Sequence, residues 1–392
     1  MTSDPIVITG YARTPIGGLQ GVFADLKAAE LGAAAIREAV KRAGAPTVDQ
    51  IAMGCVLSAG QGQAPARQAG LGAGLGENVP AMTLNKMCGS GMQAAILAHD
   101  MIVAGSADCV VAGGMESMTN APYLLTKHRK GARFGHDSVK DSMLLDGLED
   151  AYETGKPMGA FAEETARTFQ IGRTAQDEYA LRSLERARTA QATGAFDREI
   201  VPLAAGKETI RQDEQPGRAK PEKIPTLKPA FAPDGTITAA SSASISDGAA
   251  ALVITRESLA KKNDRTPIAR IVGHATHAQA PSLFTTAPVF AVRKLLDRIG
   301  WRASDVDLFE INEAFAMVAL IAMRELNIDA ARINVNGGAC ALGHPIGASG
   351  ARILATLIAA LEARGLKRGI ASLCIGGGEA TAMAIEIPSR YR

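Results

Sequence analysis

Asp108-Cys109-Val110-Val111-Ala112 runs into Gly113-Gly114-Met115-Glu116, and near the far end of the chain Ile370-Ala371-Ser372-Leu373-Cys374 runs toward Gly376-Gly377-Gly378-Glu379. Each is a short apolar run that stops at glycines, the pattern of a strand buried on both faces. Each follows a segment with apolar residues at helical spacing, and both segments open on the same dipeptide. Ser90-Gly91 begins a helix over about 91–104, and Ser349-Gly350 begins one over 350–363. A glycine-rich strand end taken singly is common in any α/β chain. The same elements in the same order in both halves predict an internal duplication.

Outward from these runs, residues 5–10 read as a buried strand, 26–43 as a helix closed by Gly44-Ala45-Pro46, and 50–57 as a further strand. The second half repeats the order with a strand over 269–273, a helix over 287–299 and a strand over 306–311. Alternating strands and helices predict an α/β architecture around a mostly parallel sheet. Between the halves, residues 119–246 are richer in Lys, Arg, Glu and Gln, with a long polar helix near 175–193 and a proline-punctuated stretch from Pro216 to Pro233. They read as an inserted subdomain covering a site at the sheet ends. Residues 247–254 (DGAAALVI) then return to the first half as a buried element.

With 392 residues, 47% hydrophobic and 21% charged, the chain has material for a large core in two or three packed units. A net charge of +2 and 4% aromatics point away from nucleic-acid and membrane-surface partners, and the short Lys127-His128-Arg129-Lys130 cluster reads as a solvated loop. No basic-then-apolar leader opens the sequence and no uncharged apolar run reaches membrane-spanning length, so the expectation is a soluble, cytoplasmic protein. Five cysteines without Cys-x-x-Cys spacing argue for free thiols, with neither a disulfide frame nor a zinc site.

Cys88 stands before Gly89-Ser90-Gly91, where a helix start directs N–H groups and partial positive charge at the sulfur; such placement lowers a thiol pKa and activates a nucleophile. Alone, it reads equally as a small buried cysteine at a tight turn. His344, in Gly343-His344-Pro345-Ile346-Gly347, is held by Gly and Pro in a defined direction and suits proton pickup, or is a structural loop histidine. His99, His128, His136, His274 and His277 lack that framing and read as ordinary. Cys374 ends a strand at the edge where open α/β sheets place ligands, or is an inert core thiol. Asn312, in Asn312-Glu313-Ala314-Phe315, holds a water or polarises a carbonyl, or simply caps a helix.

Taken together, Asn85-Lys86-Met87-Cys88-Gly89-Ser90-Gly91, Gly113-Gly114-Met115-Glu116-Ser117-Met118, Asn312-Glu313-Ala314-Phe315, Gly343-His344-Pro345-Ile346-Gly347 and Cys374-Ile375-Gly376-Gly377-Gly378 resemble the thiolase family in identity and order. The resemblance runs essentially end to end, from Ala12-Arg13-Thr14-Pro15 to the last strand. It implies a duplicated, five-layered αβαβα fold of two five-stranded halves. The first half would span 1–118, completed by 247–268; the inserted loop domain 119–246; the second half 269–392. It implies reversible thiolytic cleavage and Claisen condensation of 3-ketoacyl-CoA, best matched by acetoacetyl-CoA plus CoA giving two acetyl-CoA.

By the same resemblance Cys88 carries the acyl group, His344 accepts its proton and Cys374 moves a proton at the substrate α-carbon. Asn312 holds a water that forms one oxyanion hole with His344, and the N–H groups of Cys88 and Gly376 form the other. Coenzyme A, a substrate and not a cofactor, would meet Leu148, Arg218, Ala243 and Ser244, with Met158, Phe284 and Phe315 around the acyl group; no metal or organic cofactor is implied. The sequence departs from the family where a serine aligns with Ala243, a histidine with Pro157 and a methionine with Phe284. A bulky Phe284 beside Met158 favours a small acyl pocket. Family members are dimers or tetramers, and residues 125–137 are the candidate tetramer contact.

Other readings of the same residues are a longer-chain 3-ketoacyl-CoA thiolase of fatty-acid degradation, a decarboxylating ketoacyl synthase, and a catalytically silent CoA-binding protein. The synthase class lacks a second catalytic thiol, against which Cys374 speaks. A nicotinamide dehydrogenase is disfavoured because no Gly-x-Gly-x-x-Gly follows the first strand.

Overall fold

A computed structural model describes residues 4–388. β1 (Ile6–Arg13) is buried along its whole length and leads to α1 (Ala28–Arg42), whose buried Leu31, Ala35, Ile36 and Ala39 recur at helical spacing. β2 (Gln50–Gly54), α2 (Pro65–Gly72), β3 (Ala81–Leu84), α3 (Ser90–Val103) and β4 (Cys109–Ser117) complete the run before the long intervening segment. That segment carries α4 (Met158–Thr168) and α5 (Arg173–Ala192), after which β5 (Ser246–Arg256) rejoins the sheet. The rest of the chain forms β6 (Ala269–Ala278), α6 (Ala287–Ile299), β7 (Leu308–Ile311), α7 (Ala316–Leu326), α8 (Ser349–Arg364), β8 (Arg368–Ile375) and β9 (Glu379–Glu386).

The main sheet runs β7-β8-β9-β6-β1-β5-β4-β2-β3, and Gly17–Gly18 pairs with β5 off this path. Its two halves meet where β6 pairs with β1 through only Val7↔Arg270 and Ile8↔Ala269. Outward from that seam the order is the same on both sides. β1–β5 and β5–β4 are antiparallel, and β4–β2 and β2–β3 parallel; β6–β9 and β9–β8 are antiparallel, and β8–β7 parallel. Where β3 would recur, a single parallel bridge, Phe309↔Ile333, stands in its place. The sheet is therefore mixed, which corrects the mostly parallel expectation. The parallel pairs are strands linked through helices packed on the sheet, whereas β9 turns straight back beside β8, and β5 comes back antiparallel beside β4 after the intervening segment. β4 also continues through Gly113-Gly114 to Ser117, because β5 pairs with it along its full length.

The duplication extends to single residues. The Asp49 carboxylate accepts the N–H groups of Asp108 and Cys109 at 2.8 Å each, and Asp307 accepts those of Lys367 and Arg368 at 2.9 and 2.8 Å, each aspartate fixing the start of the central strand of its half. In β5, Ala250, Leu252 and Ile254 face a core shared with α3 and α8, while Ala249, Ala251 and Val253 face a second core beneath α1 and α2. A third core lies between the other half-sheet and α6 and α7. The layers are thus helix, sheet, helix, sheet, helix.

The Ser-Gly echo has its explanation at the centre of this stack. A Cβ on Gly91 would sit 2.8 Å from the Ala351 nitrogen, and one on Gly350 would sit 2.3 Å from the Met92 nitrogen. The starts of α3 and α8 touch backbone to backbone, and each needs glycine for it. Between β4 and β5 the first half holds the whole intervening segment, where the second half has only Gly376–Gly378. Arg13 ties that segment down, donating to Glu199 at 2.7 Å and to Asp213 at 2.6 and 2.9 Å with all three side chains buried. Among the described residues no helix is long and apolar enough to cross a membrane.

Candidate active site

The turn before α3 is closed by its own side chains. Asn85 Oδ1 accepts the Met87 N–H at 2.9 Å; Ser90 Oγ accepts the Lys86 N–H at 2.8 Å and donates to the Met87 carbonyl at 2.6 Å. Met87 takes φ +46°, a left-handed conformation costly for a side chain this large. Cys88 follows, partly buried, with its own N–H and that of Gly376 directed at its sulfur. Gly376 reaches it because Gly377 and Gly378, at φ +93° and +88°, reverse the chain between β8 and β9.

Burial pushes the Cys88 thiol up to about 11, outweighing the two N–H groups that favour the thiolate, and the Glu116 charge acts in the same upward direction. This corrects the expectation of a lowered pKa: the protein packed around the sulfur costs the anion more than the helix start returns. Cys374, buried at the end of β8, is also pushed well up, first by burial and then by Cys88 beside it.

His344 is buried, its N–H bonded to the Ser244 carbonyl at 3.0 Å and its Nδ1 2.6 Å from Ser349 Oγ. Ser349 Oγ also reaches the Pro345 carbonyl at 3.0 Å. With the hydroxyl proton given to Pro345, Nδ1–H donates to Ser349 and Nε2 is left as the unprotonated nitrogen. Burial, and behind it the Arg352 charge, pull the imidazole down to about 3, so it is neutral at physiological pH.

Asn312 Nδ2 lies 3.5 Å from each ring nitrogen, and Asn312 Oδ1 accepts from Arg352 at 3.3 Å. The guanidinium thereby fixes which end of the amide faces the imidazole. Asn312 does not cap a helix: α7 starts at Ala316 with Phe315 in the cap position, so the capping alternative falls away.

Buried Glu116 accepts the N–H groups of Val56, Leu57 and Gly347 at 3.0, 3.1 and 2.8 Å, joining the loop after β2 to the loop that carries His344. Burial raises its carboxyl to about 7 against the pull of these donors. Glu313 accepts from Tyr179 and Ser183 of α5, from Asn334 and from the Cys340 N–H, bolting α5 to the strand end that bears Asn312. These two acids sit inside the quoted motifs, yet their partners are distant in sequence. Ser349 stands out in the sequence only through the Ser-Gly echo, which says nothing of its bond to the imidazole. Arg352, a charge inside the apolar face of α8, is the one that patterning flags.

Leu148 packs with Cys88 in a cluster built on Val56, Leu57, Met118 and Ile346. Cys374, Met158, Phe284 and Phe315 share the outer core of the second half; Phe315 meets Phe231 and Phe284 edge-on at 5.8 and 6.4 Å, and the Met158 sulfur lies against Gly376. Arg218 and Ser244 line one surface cavity of about 440 Å³, with Leu19, Gln215 and Ile245. Arg218 pairs with Glu214 at 2.6 Å, and the Ala243 N–H donates to the Ala314 carbonyl at 3.0 Å.

Residues 6–258 match the thiolase N-terminal domain and residues 265–387 the thiolase C-terminal domain, so the chain belongs to the thiolase family. It is 47% identical over 391 residues to acetyl-CoA acetyltransferase 2 of Arabidopsis thaliana, covering 97% of each chain. It is 46% identical over 394 residues to acetyl-CoA acetyltransferase of Cupriavidus necator, covering 97% of this chain and 99% of that one. Among solved structures, the Bacillus anthracis acetyl-CoA acetyltransferase superposes with a TM-score of 0.95 at 40% identity, over 98% of this chain and 99% of that one. A thiolase of Ascaris suum in complex with coenzyme A superposes with a TM-score of 0.93, also at 40% identity, over 98% and 100%.

Proposed function

We propose that this chain is an acyltransferase that cleaves and forms 3-ketoacyl-CoA, with acetoacetyl-CoA plus CoA giving two acetyl-CoA as its reaction. The observation that carries the reading is the Cys88 sulfur facing the N–H groups of Cys88 and Gly376, with the buried Cys374 thiol beside it and Ile346 of the His344 loop in the cluster that holds Cys88. In the condensing direction Cys88 attacks the acetyl-CoA carbonyl, its proton passes to His344 Nε2, and CoA leaves as the thiol with the proton of Cys374, which becomes the thiolate that acts in the next step. The N–H groups of Cys88 and Gly376 stabilise the tetrahedral oxyanion, each such donor being worth about 3–4 kcal/mol of barrier.

Cys374 then removes an α-proton from a second acetyl-CoA while His344 and a water on Asn312 hold the enolate oxygen. The enolate carbon attacks the acetyl-Cys88 carbonyl, the C–C bond forms, the Cys88–acyl bond breaks and the departing Cys88 sulfur takes back the proton held on His344. Because the resting pair is thiol and neutral imidazole, the first proton moves as the sulfur attacks and not beforehand.

Leu148, Arg218, Ala243 and Ser244 would meet coenzyme A, supported by the cavity that holds Arg218 and Ser244. Met158, Phe284 and Phe315 would bound the acyl group, and their packing with Phe231 favours a short chain. The halves 1–118 with 247–268, and 269–392, flank a loop domain over 119–246, a division supported by the repeated strand order. Residues 125–137 fit an intersubunit contact: they form the exposed loop of the Tyr123–Leu124 and Lys140–Asp141 hairpin, with Leu125 and Phe134 in solvent.

Acetoacetyl-CoA with free CoA should lose its enolate absorbance in the presence of the protein, and brief exposure to acetyl-CoA should leave an acetyl group on the Cys88 peptide. Full activity in Cys88→Ala, with the adduct on another cysteine, would sink the assignment.

A further inference from the structure

His99 and Asp100 lie toward the far end of α3, about 14 Å along the helix from the Ser90 start that adjoins Cys88. His274 faces them from β6. His99 Nδ1 and His274 Nε2 each approach the same oxygen, Asp100 Oδ1, at 2.9 Å. The three heteroatoms all lie within 4.8 Å of one another, and the rings meet edge to face at 5.0 Å and 81°. From this convergence we propose that His99, Asp100 and His274 form a binding site for one divalent transition-metal cation of the zinc type, outside the acyl-transfer centre.

The donor set favours that class. Two imidazole nitrogens and one carboxylate oxygen suit zinc and its neighbours, whereas calcium and magnesium seek oxygen throughout. An ion with bonds of about 2.1 Å holds adjacent ligands about 3.0–3.4 Å apart, so each nitrogen opens slightly from the Asp100 oxygen while the two nitrogens, within 4.8 Å of each other, settle to the same spacing. Arg298 of α6, bonded to the His274 carbonyl at 2.7 Å, is a neighbouring positive charge that Asp100 offsets. Asp100 is 53% exposed, so the remaining coordination positions open to solvent.

The placement also assigns the cation a task. α3 belongs to the first half and β6 to the second, and those halves join in the sheet through two residue pairs only. An ion held by both braces the seam, and by binding the folded state alone it raises stability by mass action. A hydrogen-bonded knot with no affinity for metal is the competing description.

Cobalt(II) distinguishes them, because its spectrum separates nitrogen and oxygen ligation from binding at the active-site thiols. Titration of the full-length protein should give one-to-one d–d absorption without thiolate charge-transfer bands, displaced by zinc. The melting temperature should rise with zinc. His99→Ala and His274→Ala should each weaken binding by more than the roughly 10- to 100-fold that loss of an outer-shell partner costs, with acetoacetyl-CoA thiolysis unchanged. Asp100→Asn, which keeps hydrogen bonds to both rings, should weaken binding with the fold intact by circular dichroism. Thiolate bands in the cobalt spectrum, or undiminished affinity in the His99→Ala/His274→Ala protein, would overturn the proposal; so would absence of binding to the folded wild-type chain.

Discussion

Cys88 and His344 are both held in their neutral forms, the thiol up to about 11 and the imidazole down to about 3. An ion-paired thiolate–imidazolium would react at a pH-independent rate through neutrality. Here the thiolate fraction of Cys88 instead grows about tenfold per pH unit up to its pKa. Alkylation of Cys88 by iodoacetamide, followed on its own peptide by mass spectrometry, should therefore climb steadily between about pH 7 and 10; a plateau by about pH 8 would mean a resting ion pair. Asn312 offers a second test at this scale. With the cap role gone, Asn312→Asp should leave the melting temperature within a few degrees while turnover falls roughly 100- to 1,000-fold, because a negative charge then faces the developing oxyanion. Near-normal turnover in that variant would remove Asn312 from the chemistry. Glu116→Gln replaces an acceptor of three backbone N–H groups with an amide that can satisfy fewer of them. Each stranded donor costs about 1–3 kcal/mol, so thermal unfolding should move down and turnover should fall with it as the His344 loop loosens.

At the scale of elements, the contact between α3 and α8 decides how the two reactive loops face each other. Cys88 stands in the turn that leads into one helix at Ser90, and His344 in the loop that leads into the other at Ser349. The contact between these helices is backbone against backbone at Gly91 and Gly350. Gly350→Ala inserts a methyl group 2.3 Å from the Met92 nitrogen, and no side chain is there to swing aside. Overpacking of this kind costs about 1–3 kcal/mol. Denaturant melts should register that loss, and turnover should drop further because both loops move with their helices. Since Gly91→Ala would separate the same pair, the double variant should lose less than the sum of the two; simple additivity would mean that the helices do not share one contact.

Across the whole molecule, the segment between β4 and β5 is held to the sheet by a buried charge cluster. Arg13 in β1 pairs with Glu199 and Asp213 together, and burial already raises the Glu199 carboxyl against the pull of Arg13. Arg13→Met would leave two buried acids without their cation, a loss of about 3–5 kcal/mol. The urea midpoint should fall accordingly, and CoA binding should weaken if this segment carries the CoA contacts. Glu178→Ala, on the exposed face of α5, is the control expected to change stability by no more than about 0.5 kcal/mol.

The duplication was legible in the sequence because strand and helix periodicity are local properties. Ala112-Gly113-Gly114 and Gly376-Gly377-Gly378, or Ser90-Gly91 and Ser349-Gly350, carry their burial and backbone demands in neighbouring residues. The side chains Cys88, His344 and Cys374 stood out for the same reason, glycine or proline framing written next to them, and Asn312 as the amide that ends an apolar run. What the tertiary structure decided concerns partners and solvent. The sheet is mixed because of where β5 and β9 return, which no run of residues declares. Asn312 faces His344 because Arg352, forty residues on, takes its oxygen, and Glu116 and Glu313 acquire their roles from donors on other elements. His99 and His274 look ordinary until α3 and β6 bring them onto one oxygen. The sharpest case is Cys88. The sequence by itself determined a thiol at a helix start, and a helix start favours the thiolate; only the packed structure decided the sign of its pKa shift. Desolvation sums over everything that surrounds the sulfur, and most of that comes from residues far away in the chain.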